Sequence, residues 1–259
     1  MFDLASSTST HPLSLPPQAG LPPAIIWDMD GTLVDSEPIW TIATYELSEQ
    51  LGRRLTPALR ATTIGGSFAN TYRVAATHAG IPVTPEGQAH WYRWMVARMT
   101  ELFAERLSVD PRVRTMLQHL AEAGVAMAVA TNTPRILADP PLQVIGTAPF
   151  VTTICGDEVD RGKPDPEMYL TAAAALGVNP VDCLVFEDSP TGMAAGVAAG
   201  MTVVGLPGSQ APQVPAGAIA LAEFTGGETS HAEVLYELGA TGIAHLWQWL
   251  QQRSPSLRR

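Results

Sequence analysis

The apolar run Ala24-Ile25-Ile26-Trp27 stops abruptly at Asp28-Met29-Asp30-Gly31-Thr32. A run with no polar member that ends in two carboxylates and a glycine reads as a strand buried on both faces, breaking into a loop at its carboxyl end. Such a strand needs neighbours on both edges and cover on both faces, and the chain supplies both. Further apolar runs fall at 125–130, 151–155, 183–186 and 201–206, and 219–221 is a short sixth candidate. Helical segments separate them. One starts at Asp110-Pro111, an N-cap and first-turn pair, and ends at Gly124; a short one spans 134–138; others run to Leu176 and over 191–199. Strands alternating with helices imply an α/β, Rossmann-like, doubly wound parallel sheet with right-handed crossovers. In such sheets ligands bind beyond the carboxyl ends of the strands.

The alternation is interrupted once. From Glu37 the apolar residues Ile39, Ile42, Ala43, Leu47 and Leu51 recur at helical steps until Gly52, and further helices are expected near 57–62, 68–79 and 86–105. No strand pattern occurs between 36 and 108, so this stretch is expected to be an inserted all-helical cap domain. The core would then comprise 24–35 and 109–259. Residues 1–23, rich in Ser, Thr and Pro, lack the basic start and apolar segment of a secretory signal and are expected to be a disordered leader. The tail from 228 carries Leu235, Leu238, Leu246, Trp247 and Leu250, which suits one helix or two covering a sheet face.

Charge and cysteine content narrow the function classes. A net charge of −10 argues against nucleic acid and anionic membranes as partners. Cys155 and Cys183 lack metal-ligand spacing and suit core positions in a reduced, cytoplasmic chain, a monomer or small homo-oligomer. Of fifteen Lys and Arg residues, one is lysine, Lys163, and it follows the third strand.

Four strand ends carry polar groups: Asp28 and Asp30, Thr131, Lys163, and Glu187 with Asp188. Singly each has an ordinary explanation as a cap, a turn residue or a solvated charge. A parallel sheet puts all of them on one edge, which a set of unrelated caps would not require. Asp28 and Asp188 can share a hard divalent cation such as Mg²⁺, which takes carboxylates, waters and phosphate oxygens. A carboxylate facing a phosphoryl group can act as a nucleophile, and a second one two residues on can protonate the leaving oxygen and then activate water. Lys163 is a compact charge able to reach both nucleophile and phosphoryl group.

The chain resembles the haloacid dehalogenase superfamily, in the phosphatase branch with a helical cap after the first strand. Four motifs carry the resemblance, in matching order and spacing: 28–36 (Asp-Met-Asp-Gly-Thr-Leu-Val-Asp-Ser), 130–132 (Ala-Thr-Asn), 162–166 (Gly-Lys-Pro-Asp-Pro) and 186–192 (Phe-Glu-Asp-Ser-Pro-Thr-Gly). The resemblance covers roughly 24–208 and implies a Mg²⁺-dependent phosphohydrolase acting on a small phosphorylated metabolite through an aspartyl-phosphate on Asp28. It implies Asp30 as general acid/base whose backbone carbonyl also touches the metal, Thr131, Asn132 and Lys163 as phosphate ligands, Asp188 as metal ligand, and Glu187 in or beside the metal shell. Asp30 separates the chain from true dehalogenases, which lack that acid. The cap has no lysine, which sets aside the Schiff-base hydrolases of the superfamily. A sugar-phosphate mutase similar to β-phosphoglucomutase is the alternative enzyme, and a non-catalytic phosphate-binding module the remote one. A mutase should present a basic cap group to a distal phosphate. Arg53, Arg54, Arg60, Arg73, Arg93 and Arg98 are available, and most suit solvated helix faces. The 62–67 turn resembles the cap loop that dips into the site.

Overall fold

The structure is a computed structural model that describes residues 18–207, 213–227 and 232–253. Among the described residues six parallel strands make one sheet: β1 (Ala24–Trp27), β2 (Ala126–Ala130), β3 (Thr152–Ile154), β4 (Cys183–Glu187), β5 (Thr202–Gly205) and β6 (Ile219–Ala220). Their order is β3-β2-β1-β4-β5-β6. The chain builds outward from β1 on one side and then returns to build outward on the other, so the order reverses at β1. Trp27 pairs with Val129 on one side and Phe186 on the other. Asp28, Thr131, Glu187 and Asp188 therefore emerge side by side at the switch point, where an open α/β sheet leaves a crevice.

Side-chain alternation fixes the two faces. Ile25, Trp27, Met127, Val129, Leu184 and Phe186 meet α5 (Pro111–Glu122) and the tail helix α10 (Ala232–Arg253). The Trp27 and Phe186 rings stack 4.8 Å apart at the centre of that face. Ala24, Ile26, Ala128, Ala130, Cys183 and Val185 meet α7 (Glu167–Leu176) and α8 (Pro190–Ala198). Both cysteines are buried and unbridged, as expected, and burial pushes each thiol up to about 12.

The tail turns out to be two helical pieces joined at Gly239, whose φ of 57° and ψ of −167° lie outside the helix. Leu235, Ile243, Leu246 and Leu250 are fully buried against the sheet. Tyr236 Oη donates to the Thr32 carbonyl at 2.5 Å, fastening the tail to the loop that follows β1. Residues 1–17 lie outside the described part of the chain, but the end of the expected leader is already core: Leu21 is buried, and the Gln18 N–H donates to the Ala123 carbonyl at 3.0 Å.

The helix expected over 134–138 is longer. It is α6 (Arg135–Ile145), and it runs through Pro140 and Pro141. Two prolines remove two backbone donors and would ordinarily end a helix. Here Leu137, Ala138, Leu142 and Ile145 are all buried on one side, and that burial outweighs the missing bonds.

Between β1 and α5 the chain is all helical, as expected: α1 (Glu37–Gln50), α2 (Pro57–Ala61), α3 (Phe68–Ala79) and α4 (Pro85–Arg106). Side-chain oxygens of Thr56, Ser67 and Thr84 cap the last three. These helices share a hydrophobic cluster distinct from both sheet faces, built on Ile39, Leu47, Tyr72, Met95, Met99 and Leu102. Trp91 and Trp94 pack edge-to-face at 6.0 Å against it. The short α9 (Leu221–Thr225) follows β6.

Replacing Tyr236 by Phe removes one buried hydrogen bond and leaves the Thr32 carbonyl unpaired. Chemical denaturation should register a loss of about 1–2 kcal/mol, with the m-value unchanged.

Candidate active site

The loop after β1 is drawn tight by its own backbone. The Leu33 and Val34 N–H groups both return to the Met29 carbonyl, at 2.9 and 3.1 Å, while Met29, Leu33 and Val34 are buried. This holds Asp28 and Asp30 at the sheet edge. Gly31 has φ +83°, and a Cβ there would fall 2.1 Å from Asp188 Oδ2. Only glycine lets the loop and the Asp188 carboxylate come this close.

Lys163 lies between two acids. Its Nζ is 2.6 Å from Asp28 Oδ1 and 2.6 Å from Glu187 Oε1, and it sits 5.0 Å from the centre of the buried Tyr169 ring. Glu187 spends its second oxygen on the N–H and hydroxyl of Ser189, at 2.7 and 2.9 Å. Ser189 in turn caps α8. Asp28 Oδ2 is buried with no hydrogen-bond partner among the described residues. Carboxylate oxygens of Asp28, Glu187 and Asp188 lie within 4.8 Å of one another.

Three carboxylates thus share one ammonium. Burial opposes the charge on Lys163, but the Asp28 and Glu187 carboxylates overcome it and hold the lysine well above its usual range. Asp28 is pushed well above the ordinary carboxylate range by burial and by the charge of Glu187, with Lys163 pulling it back only in part. Asp188 is pushed up by burial and by the charges of Glu187 and Asp28. An all-oxygen acidic set that lacks a second positive charge and has one unpartnered buried oxygen fits a hard divalent cation.

Asp30 is held differently. Ser36 Oγ and Trp40 Nε1 donate to Oδ1, at 2.5 and 3.0 Å, and Thr131 and Thr133 hydroxyls donate to Oδ2, at 3.3 and 2.7 Å. The Thr131 hydroxyl, expected to face a phosphate, is here turned to Asp30 and also accepts from the Thr133 N–H at 3.1 Å. Asn132 is a bracket: its Oδ1 accepts from the Lys163 N–H at 2.9 Å, and its Nδ2 donates to the carbonyls of Gly65 and Lys163, at 3.1 and 3.3 Å. The Lys163–Pro164 peptide is cis.

All seven residues singled out from the sequence (Asp28, Asp30, Thr131, Asn132, Lys163, Glu187 and Asp188) line a single pocket between the sheet edge and the helical segment. Sequence reasoning missed Thr133 and Trp40 as partners of Asp30. The Thr131-x-Thr133 spacing was a usable signal, because alternate residues of an extended strand end point the same way. The sequence did not single Arg60 out from the other cap arginines, most of which suit solvated helix faces. Arg60 is 3% exposed and lines the pocket. The 62–67 turn reaches the core as expected. The Gly65 carbonyl accepts from Asn132 and, at 3.2 Å, from the Thr191 hydroxyl. A Cβ at Gly65, where φ is +66°, would lie 2.6 Å from Ser189 Cβ, so the approach requires glycine.

Residues 22–200 match the haloacid dehalogenase-like hydrolase family. The chain belongs to that family. Among curated hydrolases it is 32% identical over 194 residues to a probable pseudouridine-5'-phosphatase of Drosophila melanogaster, covering 70% of this chain and 80% of the relative. It is 31% identical over 185 residues to a phosphorylated carbohydrates phosphatase of Thermotoga maritima, covering 69% and 82%. Among solved structures, CbbY from Rhodobacter sphaeroides in complex with phosphate superimposes with a TM-score of 0.67 at 25% identity, covering 76% of this chain and 92% of that one. No helix among the described residues is long and apolar enough to cross a membrane.

The electrostatics of this hydrolase site make a prediction about metal and pH. Asp28 and Asp188 have folded-state pKa values above their unfolded ones, so in that window the folded protein binds more protons than the unfolded chain. Stability of the metal-free protein should therefore fall as pH rises from the ordinary carboxylate range through the raised values. Adding a divalent cation should raise Tm, and by more near about pH 8 than near about pH 5, as differential scanning calorimetry would register.

Proposed function

We propose that this chain is a Mg²⁺-dependent phosphohydrolase that removes phosphate from a small phosphorylated metabolite through an aspartyl-phosphate on Asp28. The observation that carries this reading is the state of Asp28, which lines the acidic pocket: one oxygen is fixed by Lys163 and the other is buried with no hydrogen-bond partner among the described residues. The names of the curated relatives support the phosphatase assignment, and the buried, unbridged cysteines suit a reducing cytoplasm. The helices between residues 36 and 108 act as a cap domain that closes over the site.

Asp28 and Asp188, with the Asp30 backbone carbonyl, would hold the ion, and Glu187 lies beside them. When bound, the ion supplies positive charge to phosphoryl oxygens and offsets the acidic cluster. An Asp28 carboxylate oxygen attacks phosphorus and the ester P–O bond breaks. The leaving oxygen takes its proton from Asp30, whose orientation the hydroxyls of Ser36, Thr131 and Thr133 and the Trp40 indole control. Water then attacks phosphorus, returning its proton to Asp30 and releasing phosphate and the Asp28 carboxylate. Lys163 enters the reaction charged, because Glu187 and Asp28 both favour the ammonium, and Glu187 still favours it once Asp28 carries the phosphoryl group. It neutralises the nucleophile before attack and the phosphoryl oxygens after it. Asn132 fixes the backbone of the Lys163 loop, and Thr131 exchanges Asp30 for a phosphoryl oxygen when substrate is bound.

The test is phosphate release from a panel of phosphorylated metabolites with Mg²⁺ and with a chelator. Release should require the metal, and Asp28→Asn should abolish it while circular dichroism shows an intact fold; a variant that retains most of its activity overturns the mechanism. Asp30→Asn should lower kcat by about 10²–10⁴-fold. A mutase would instead interconvert sugar phosphates without net release. Lys163→Arg should lose much of kcat in the same assay, since a planar fork cannot replace a point charge between Asp28 and Glu187.

A further inference from the structure

The cap side of the pocket holds an ion pair that the proposed chemistry leaves unused. Glu37 opens α1, where the chain leaves the sheet, and Arg60 lies in α2. Arg60 Nη2 forms an ion pair with Glu37 Oε1 and donates to the Thr41 hydroxyl at 3.2 Å, while Nη1 donates to the Thr63 hydroxyl at 3.1 Å. Its Nε is buried without a partner among the described residues, and Glu37 is the carboxylate with which the guanidinium pairs there. Both residues line the pocket.

The lining contains two cations, Lys163 and Arg60, against five carboxylates: Asp28, Asp30, Glu37, Glu187 and Asp188. Lys163 is committed to Asp28 and Glu187. A substrate with a second phosphate or carboxylate would therefore have to take Arg60 from Glu37. That exchange would leave the partly buried Glu37 without its ion-pair partner and under the repulsion of Asp30. The other polar groups on the cap side, Thr44, Thr71 and Tyr92, carry no charge and suit hydroxyls.

We propose that the Glu37–Arg60 pair neutralises the cap side of the pocket and thereby selects a phosphomonoester whose other end is uncharged and hydroxyl-bearing, over one that carries a second anionic group. The proposal rests on the phosphohydrolase reading and adds to it a selectivity that one residue pair sets. Glu37 and Arg60 act on the head of the substrate, away from the bond that breaks. Removing the Glu37 charge frees Arg60 for a second anion, and removing the Arg60 charge leaves an unpaired carboxylate that repels one.

The experiment compares fructose 6-phosphate with fructose 1,6-bisphosphate, which share a sugar and differ in the second phosphate. Phosphate release gives kcat/KM for each, and calorimetry on the Asp28→Asn protein gives binding without turnover. The wild type should favour the monophosphate. Glu37→Gln should shift the ratio toward the bisphosphate by at least about tenfold, and Arg60→Gln should shift it the other way. A wild type that favours the bisphosphate, or a ratio that neither variant moves, overturns the proposal. p-Nitrophenyl phosphate offers the cap no second group and serves as the control. If it and both sugars go unhydrolysed with Mg²⁺, the phosphohydrolase reading fails, and the binding ratio still decides the selectivity.

Discussion

The site is governed by a charge imbalance. Three buried or nearly buried carboxylates, Asp28, Glu187 and Asp188, cluster beside one ammonium, that of Lys163, which pairs with the first two. Taking this many charges out of water is unfavourable unless each has partners. The surrounding structure supplies partners for Glu187 through Ser189 and for Lys163 through two acids, and leaves one oxygen of Asp28 with none among the described residues. That residual deficit of positive charge is what makes the pocket receptive to a hard cation. The sheet delivers the acids to one edge, and Ser189, which caps α8, keeps Glu187 from turning away.

Much of this was legible in the sequence because it rests on period and position. Two faces of a parallel sheet are written as unbroken apolar runs, and the residue that follows each run must lie at the carboxyl edge. The strand ends at Asp28, Thr131 and Glu187 could be found in that way. The lysine stood out because the chain has no other. What was not legible depended on tertiary packing. Arg60 looks like any arginine on a short helix until α1 and α2 are docked and Glu37 meets it. Pro140 and Pro141 argue locally against a helix, and only the burial of Leu142 and Ile145 shows why α6 continues. Trp40 carries no polar signature in a helical pattern, yet its indole N–H holds Asp30.

The two halves of the pocket are wired together through the segment that joins them. Ser36 and Trp40 hold Asp30, and Glu37 between them holds Arg60. One turn of chain thus touches the acid on the sheet side and the guanidinium on the helical side. Any displacement of α1 relative to β1 would disturb both contacts at once.

The contact at Gly65 works on another principle. There the helical segment is joined to the core by a main-chain carbonyl, received by Asn132 and Thr191. A carbonyl is the same in every residue, so side chains flanking that glycine can be exchanged without altering the joint. The pocket-lining side chains of the turn can therefore change by ordinary point mutation while the fastening stays as it is, so the lining and the joint are separable.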